Sequence, residues 1–74
     1  MNEVVEIQVL DNYQIWMKFK DGFEKTLNVR NLLGKGITKE LLNYDVFKQA
    51  TIEPGGGIAW SNGFDICPNY LKEL

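Results

Sequence analysis

The feature that most constrains this chain is the segment Phe19-Lys20-Asp21-Gly22-Phe23, set between two stretches that alternate apolar and polar residues. Alternation with a period of two marks a half-buried strand, and Asp-Gly between two such stretches makes a hairpin. Side-chain phase selects the kind of loop. A two-residue turn would pair Lys20 with Phe23 and set Phe19 opposite Glu24, mixing polar residues into the apolar face. A three-residue loop of Lys20-Asp21-Gly22, with Gly22 left-handed in a bulge, pairs Phe19 with Phe23 and Ile15 with Leu27 on one face. On the other face it pairs Lys18 with Glu24 and Trp16 with Thr26. The bulged loop is therefore expected. It leaves Lys25 opposite Met17, where its stem would follow the apolar surface and its ammonium reach water at an edge.

The rest of the chain is organised around this hairpin. Val4 to Leu10 alternates with Val5, Ile7 and Val9 on one side and Glu6 and Gln8 on the other, and Asp11-Asn12-Tyr13 supplies the turn to the next strand. Arg30 to Gly36 reads as a turn or short helical piece that folds Leu32 and Leu33 back, with Gly34 and Gly36 breaking any helix. Thr38 is the expected N-cap for Lys39 to Asn43, and Asp45 for Val46 to Gln49. Leu41, Leu42, Val46 and Phe47 are their buried residues. Thr51 to Glu53 and Ile58 to Trp60 read as short strands around Pro54-Gly55-Gly56-Gly57, and Pro68 opens a terminal helical turn through Leu71 toward Leu74. The fold class is α+β: one domain, residues 1–74, with an antiparallel β-meander of about four to five short strands carrying short helices on one face.

Composition narrows the function. The chain has 74 residues, one cysteine and no histidine. A disulfide scaffold is excluded, and the usual general base and commonest metal ligand are both missing. The longest apolar runs, Ile15-Trp16-Met17 and Ile58-Ala59-Trp60, fall far short of the ~20 residues that span a bilayer, and the N-terminus lacks a signal-peptide pattern. A soluble cytoplasmic protein is expected. Net charge is −2, yet Gln14 to Lys39 holds six basic residues against Asp21 and Glu24. That asymmetry would steer an acidic partner or nucleic acid to the hairpin over residues 14–30, unless it simply reflects lysine-rich solvated strand faces.

Candidate chemistry is sparse. Gly55-Gly56-Gly57 lacks the lysine and following helix of a phosphate-binding loop and reads as a turn. Cys67 and Ser61 have no positioned base, so Cys67 reads as a small buried side chain beside Pro68. Asp45 and Asp65 occupy capping or turn positions. No ligand set for zinc or calcium is present, and no cofactor is expected.

The most distinctive stretch is Trp60-Ser61-Asn62-Gly63-Phe64-Asp65-Ile66-Cys67-Pro68. It resembles the closing signature Trp-x-Asn-Gly-x-Asp-Ile-x-Pro of the small bacterial family catalogued as domain of unknown function 2442. The Val-rich first strand, Phe19-Lys20-Asp21-Gly22, Leu32-Leu33, Leu42 and Asp45-Val46-Phe47 are similar to the family pattern in order, the last with one spacer residue fewer. The resemblance implies a fold and not a reaction. Some relatives resemble this domain fused to a DNA-binding helix-turn-helix, which is not seen in this sequence, so direct nucleic-acid binding is not expected on that ground. Many lie beside a small protein catalogued as domain of unknown function 4160, in a proposed toxin-antitoxin arrangement.

The leading expectation is thus a non-enzymatic protein-interaction domain, the antitoxin-like member of a two-protein module, binding such a protein or a second copy of itself. Its candidate interaction residues are Trp16, Lys18, Trp60, Asn62 and Asp65. Trp16 falls on the polar side of its strand, where an indole awaits a partner or packs across Thr26. Trp60, Asn62 and Asp65 line a recognition groove or form a structural lock, with Trp60 in the core, Gly63 at positive φ and Asp65 accepting backbone amides as the chain turns into Pro68. The alternatives are a small-ligand-binding protein or minor enzyme using the loop from Trp60 to Asp65, and nucleic-acid binding through the basic hairpin.

Overall fold

The computed structural model describes residues 2–33 and 36–74, with backbone alone for residues 36–38. Strands β1 (Val4–Leu10), β2 (Gln14–Phe19) and β3 (Glu24–Asn28) form an antiparallel sheet in the order β1-β2-β3. Two 3₁₀ helices, Val29–Leu32 and Gly36–Leu42, and helix α1 (Tyr44–Phe47) lead to a second antiparallel sheet. It is built from β4 (Thr51–Ile52), β5 (Ile58–Ala59) and β6 (Asp65–Ile66) in that order, and helix α2 (Pro68–Glu73) follows. The class is the expected α+β domain. Among the described residues, two three-stranded sheets replace the single meander, because the segment over Asp65–Ile66, read only as a turn, pairs with β5.

One core joins the two sheets. β2 supplies Ile15, Met17 and Phe19, none more than 1% exposed, and Phe47, Ile58 and Leu71 meet them fully buried from α1, β5 and α2. No helix among the described residues is long and apolar enough to cross a membrane.

The β2–β3 register is the bulged one, with Ile15 opposite Leu27, Trp16 opposite Thr26 and Lys18 opposite Glu24. Phe19 N–H donates to the Phe23 carbonyl at 2.8 Å, Gly22 N–H donates to the Phe19 carbonyl at 2.9 Å, and Gly22 has φ +93°. The same pair of closing hydrogen bonds recurs twice. Trp60 N–H donates to the Phe64 carbonyl at 2.9 Å and Gly63 N–H to that of Trp60 at 3.1 Å; Glu53 and Gly57 are joined likewise at 2.9 Å across Gly56. Asp21 and Asn62 stand at the same place in their loops, and each side chain accepts the amide two residues on, Phe23 at 3.0 Å and Phe64 at 3.1 Å. This side-chain acceptor is what Asp and Asn contribute to a turn.

Several expectations are corrected. Val4 pairs with Phe19 and Glu6 with Lys18, so Val5 is an extra residue in a β-bulge. A bulge reverses the facing of everything before it. Val5 is accordingly 50% exposed and Val4 is buried in its place. The cap of α1 is Asn43, whose side chain accepts the Asp45 amide at 3.0 Å, and Asp45 sits in the first turn paired with Lys48 at 3.4 Å. The helix starts early because Tyr44 and Phe47 both pack edge-on against the Tyr13 ring. Cys67 is exposed rather than buried, since Ile66 takes the inward position of β6. Lys25 is partly buried, and its ammonium donates at 3.0 Å to the Leu71 carbonyl, one of the C-terminal groups that α2 leaves unpaired. The second 3₁₀ helix begins at Gly36, so Gly36 opens a helical turn instead of breaking one and Thr38 lies inside the helix instead of capping it, while Gly34 and Lys35 lie outside the described residues.

Candidate interaction face

Because β2 is the middle strand, its alternation decides both faces of the first sheet. Ile15, Met17 and Phe19 face the core, and Gln14, Trp16 and Lys18 face away. Cross-strand pairing then sets three rows on the outer face: Glu6-Lys18-Glu24, Gln8-Trp16-Thr26 and Leu10-Gln14-Asn28. Glu6, Gln8, Glu24, Thr26 and Asn28 are exposed, and Trp16 is half-buried at the centre. Trp16 lies outside the core cluster. Among the described residues its indole makes no hydrogen bond and no ring contact. An indole left in this state has both an apolar area and a polar N–H to offer.

Lys18 stands between two carboxylates. The lysine steering expected from the sequence is offset there by Glu24, the neighbour expected from the hairpin, and by Glu6, which the β1–β2 register brings alongside. Nor do the basic residues of the hairpin make one patch, because Lys18 lies on the outer face and Lys25 passes beneath the sheet to Leu71.

The signature segment is arranged differently. Trp60 is 4% exposed, its ring stacked between Phe47 and Phe64 at centroid distances of 5.9 and 5.6 Å, and its indole N–H donates to the Phe47 carbonyl at 2.8 Å. It offers no face to a partner. Asn62 is half-buried and accepts the turn amide, so Asn62, and not Asp65, does the work expected of the latter. Asp65 is exposed on β6 opposite Ala59. Its charge lies close to Glu53, whose carboxyl is raised above its ordinary value first by burial and then by the Asp65 charge. This carboxylate pair escaped the sequence reading, since the β4-β5-β6 pairing that aligns the two was only half visible. No group of three metal-ligating side chains converges among the described residues.

A two-sheet α+β miniature locked by one stacked tryptophan and presenting a second on an open sheet face is the class that these elements define. Comparison of sequences narrows it: the profile of the family described as "Protein of unknown function (DUF2442)" matches residues 4–74. The chain belongs to this family. No curated protein and no solved structure matches it.

Proposed function

We propose that the domain is a non-enzymatic protein-interaction module, the antitoxin-like member of a two-protein system, and that it binds its partner through the outer face of β1, β2 and β3. The observation supporting this reading is Trp16, an indole without a partner at the centre of that face. Tryptophan is enriched among the few residues that dominate binding energy, and the exposed Gln8, Thr26 and Asn28 around it supply the polar rim of such a surface. Charge favours polypeptide over nucleic acid, because phosphates would meet Glu6 and Glu24 on either side of Lys18. The partner suggested by the family resemblance is a small protein of the domain-of-unknown-function-4160 kind encoded alongside.

Titration calorimetry of the domain against that co-expressed product tests the reading. Trp16→Thr should leave the unfolding midpoint nearly unchanged while weakening the complex about tenfold or more. Absence of a complex, or equal affinity of the variant, sinks it.

A further inference from the structure

The first sheet has two edges, and they are treated differently. At the β1 edge, Val4 N–H donates to the Gly56 carbonyl at 3.0 Å and β4 packs alongside. Among the described residues, nothing is bonded along the β3 edge. The hydrogen-bond phase is set by Phe19 N–H to the Phe23 carbonyl at 2.8 Å and Val29 N–H to the Tyr13 carbonyl at 2.9 Å. Alternation between those bonds turns the backbone of Lys25 and Leu27 toward β2 and that of Glu24, Thr26 and Asn28 outward. Among the described residues none of these three has a backbone partner on the outer side. An edge of this kind is a template for another strand.

The geometry points to a second copy of this chain as that strand, joined β3 to β3 in antiparallel fashion about a two-fold axis at Thr26. The register of β3 against itself carries this. Centring on Thr26 pairs all five residues of β3: Glu24 faces the second copy's Asn28, Lys25 its Leu27, and Thr26 its Thr26. Every outward residue then meets an outward residue, so each such pair exchanges both backbone bonds. Neighbouring in-phase registers are worse. One sets Lys25 against Lys25, the next Glu24 against Glu24, and those shifted the other way lose pairs from the end; like charges directly opposite are destabilising. Lys25 is no obstacle in the central register, because its ammonium is held beneath the sheet at the Leu71 carbonyl. The product is one continuous sheet with both Trp16 side chains on the same outer face, so the association leaves the face proposed above free. Its contact is small, at the weak end of specific interfaces.

Sedimentation of the whole chain up to roughly millimolar concentration tests this. The wild type should show a monomer-dimer equilibrium. Thr26→Pro removes an N–H that the monomer does not use and should abolish dimerisation, with circular dichroism reporting the fold. Should that variant fail to fold, Thr26→Asp and Thr26→Lys decide. Each alone should dimerise about tenfold or more weakly, since its new charge faces itself across the axis, and an equimolar mixture should recover association. A wild type that stays monomeric at the highest concentration, or a dimer indifferent to the charge variants, overturns the inference.

Discussion

Lys72 in α2 donates to the Asp21 carboxylate at 2.9 Å, while its ammonium lies 4.7 and 4.6 Å from the ring centres of Phe19 and Phe23. With Lys25 reaching the Leu71 carbonyl from the other side, two lysines tie the tip of the first hairpin to the last helix. The contact explains why Phe23 tolerates 46% exposure: one face is covered by a cation. Lys72→Met keeps the stem and removes the charge, and should cost about 0.5–1 kcal/mol, chiefly the lost cation-π attraction, read as a lower urea midpoint.

Asp21 adds a pH dependence. Its carboxyl is held below its usual value first by the Phe23 amide and then by the Lys72 hydrogen bond. A folded value below the unfolded one contributes stability that is complete above the ordinary carboxylate range and is lost as pH falls through the lowered value. Urea midpoints measured down that range should therefore fall less steeply for Asp21→Asn than for the wild type. Parallel acid limbs would show that this carboxyl is not perturbed by folding.

Glu53 has the opposite sign. Burial and the neighbouring Asp65 raise its folded value above the unfolded one, so the ionised form opposes folding at neutral pH and protonation relieves it as pH falls through the raised value. Glu53→Gln should raise the midpoint at neutral pH, and its advantage should shrink toward the acid end of the carboxylate range. A gain independent of pH would mean that packing, not charge, is responsible.

Gly22 and Gly56 occupy the same place in two loops closed by the same pair of hydrogen bonds, with φ +93° and +92°. Their surroundings differ. A methyl group at Gly22 meets nothing within 4 Å, whereas at Gly56 it would lie 2.6 Å from the Glu3 Cα. Gly22→Ala should cost only backbone strain, about 1–2 kcal/mol. Gly56→Ala should cost about 1–3 kcal/mol beyond that, because the N-terminal strand must shift. Denaturant midpoints of the two variants give the comparison directly.

Trp60→Ala should remove about 3–5 kcal/mol, a large part of what a domain this small possesses. Trp60→Phe retains stacking between Phe47 and Phe64 but removes one of the two hydrogen bonds that the Phe47 carbonyl accepts, leaving that of the Ala50 amide at 3.2 Å, and should cost about 0.5–1.5 kcal/mol. Overlaid unfolding curves for wild type and the alanine variant would contradict the burial of this indole.

Local periodicity and turn chemistry by themselves determined the first hairpin, its bulge at Gly22, the helix start at Pro68 and the outward placing of Trp16. Each depends on residues within one loop of each other, where side-chain phase and positive φ leave few choices. The β5-β6 hairpin was equally local, since Trp60-Ser61-Asn62-Gly63-Phe64 repeats the pattern of Phe19-Lys20-Asp21-Gly22-Phe23, but strands of two residues are too short to show alternation. Tertiary structure alone decided the rest. Val5 turns outward because Val4 is drawn to Gly56, far along the chain, and α1 begins at Tyr44 because Tyr13 packs there. Glu6 comes to lie beside Lys18, across from the Glu24 that the hairpin already supplied, only when β1 is aligned with β2, and Lys25 finds a carbonyl that α2 places beneath it. Contacts between segments distant in sequence leave no mark in local periodicity, so the Glu6 side of the charge around Lys18 appeared only with the fold.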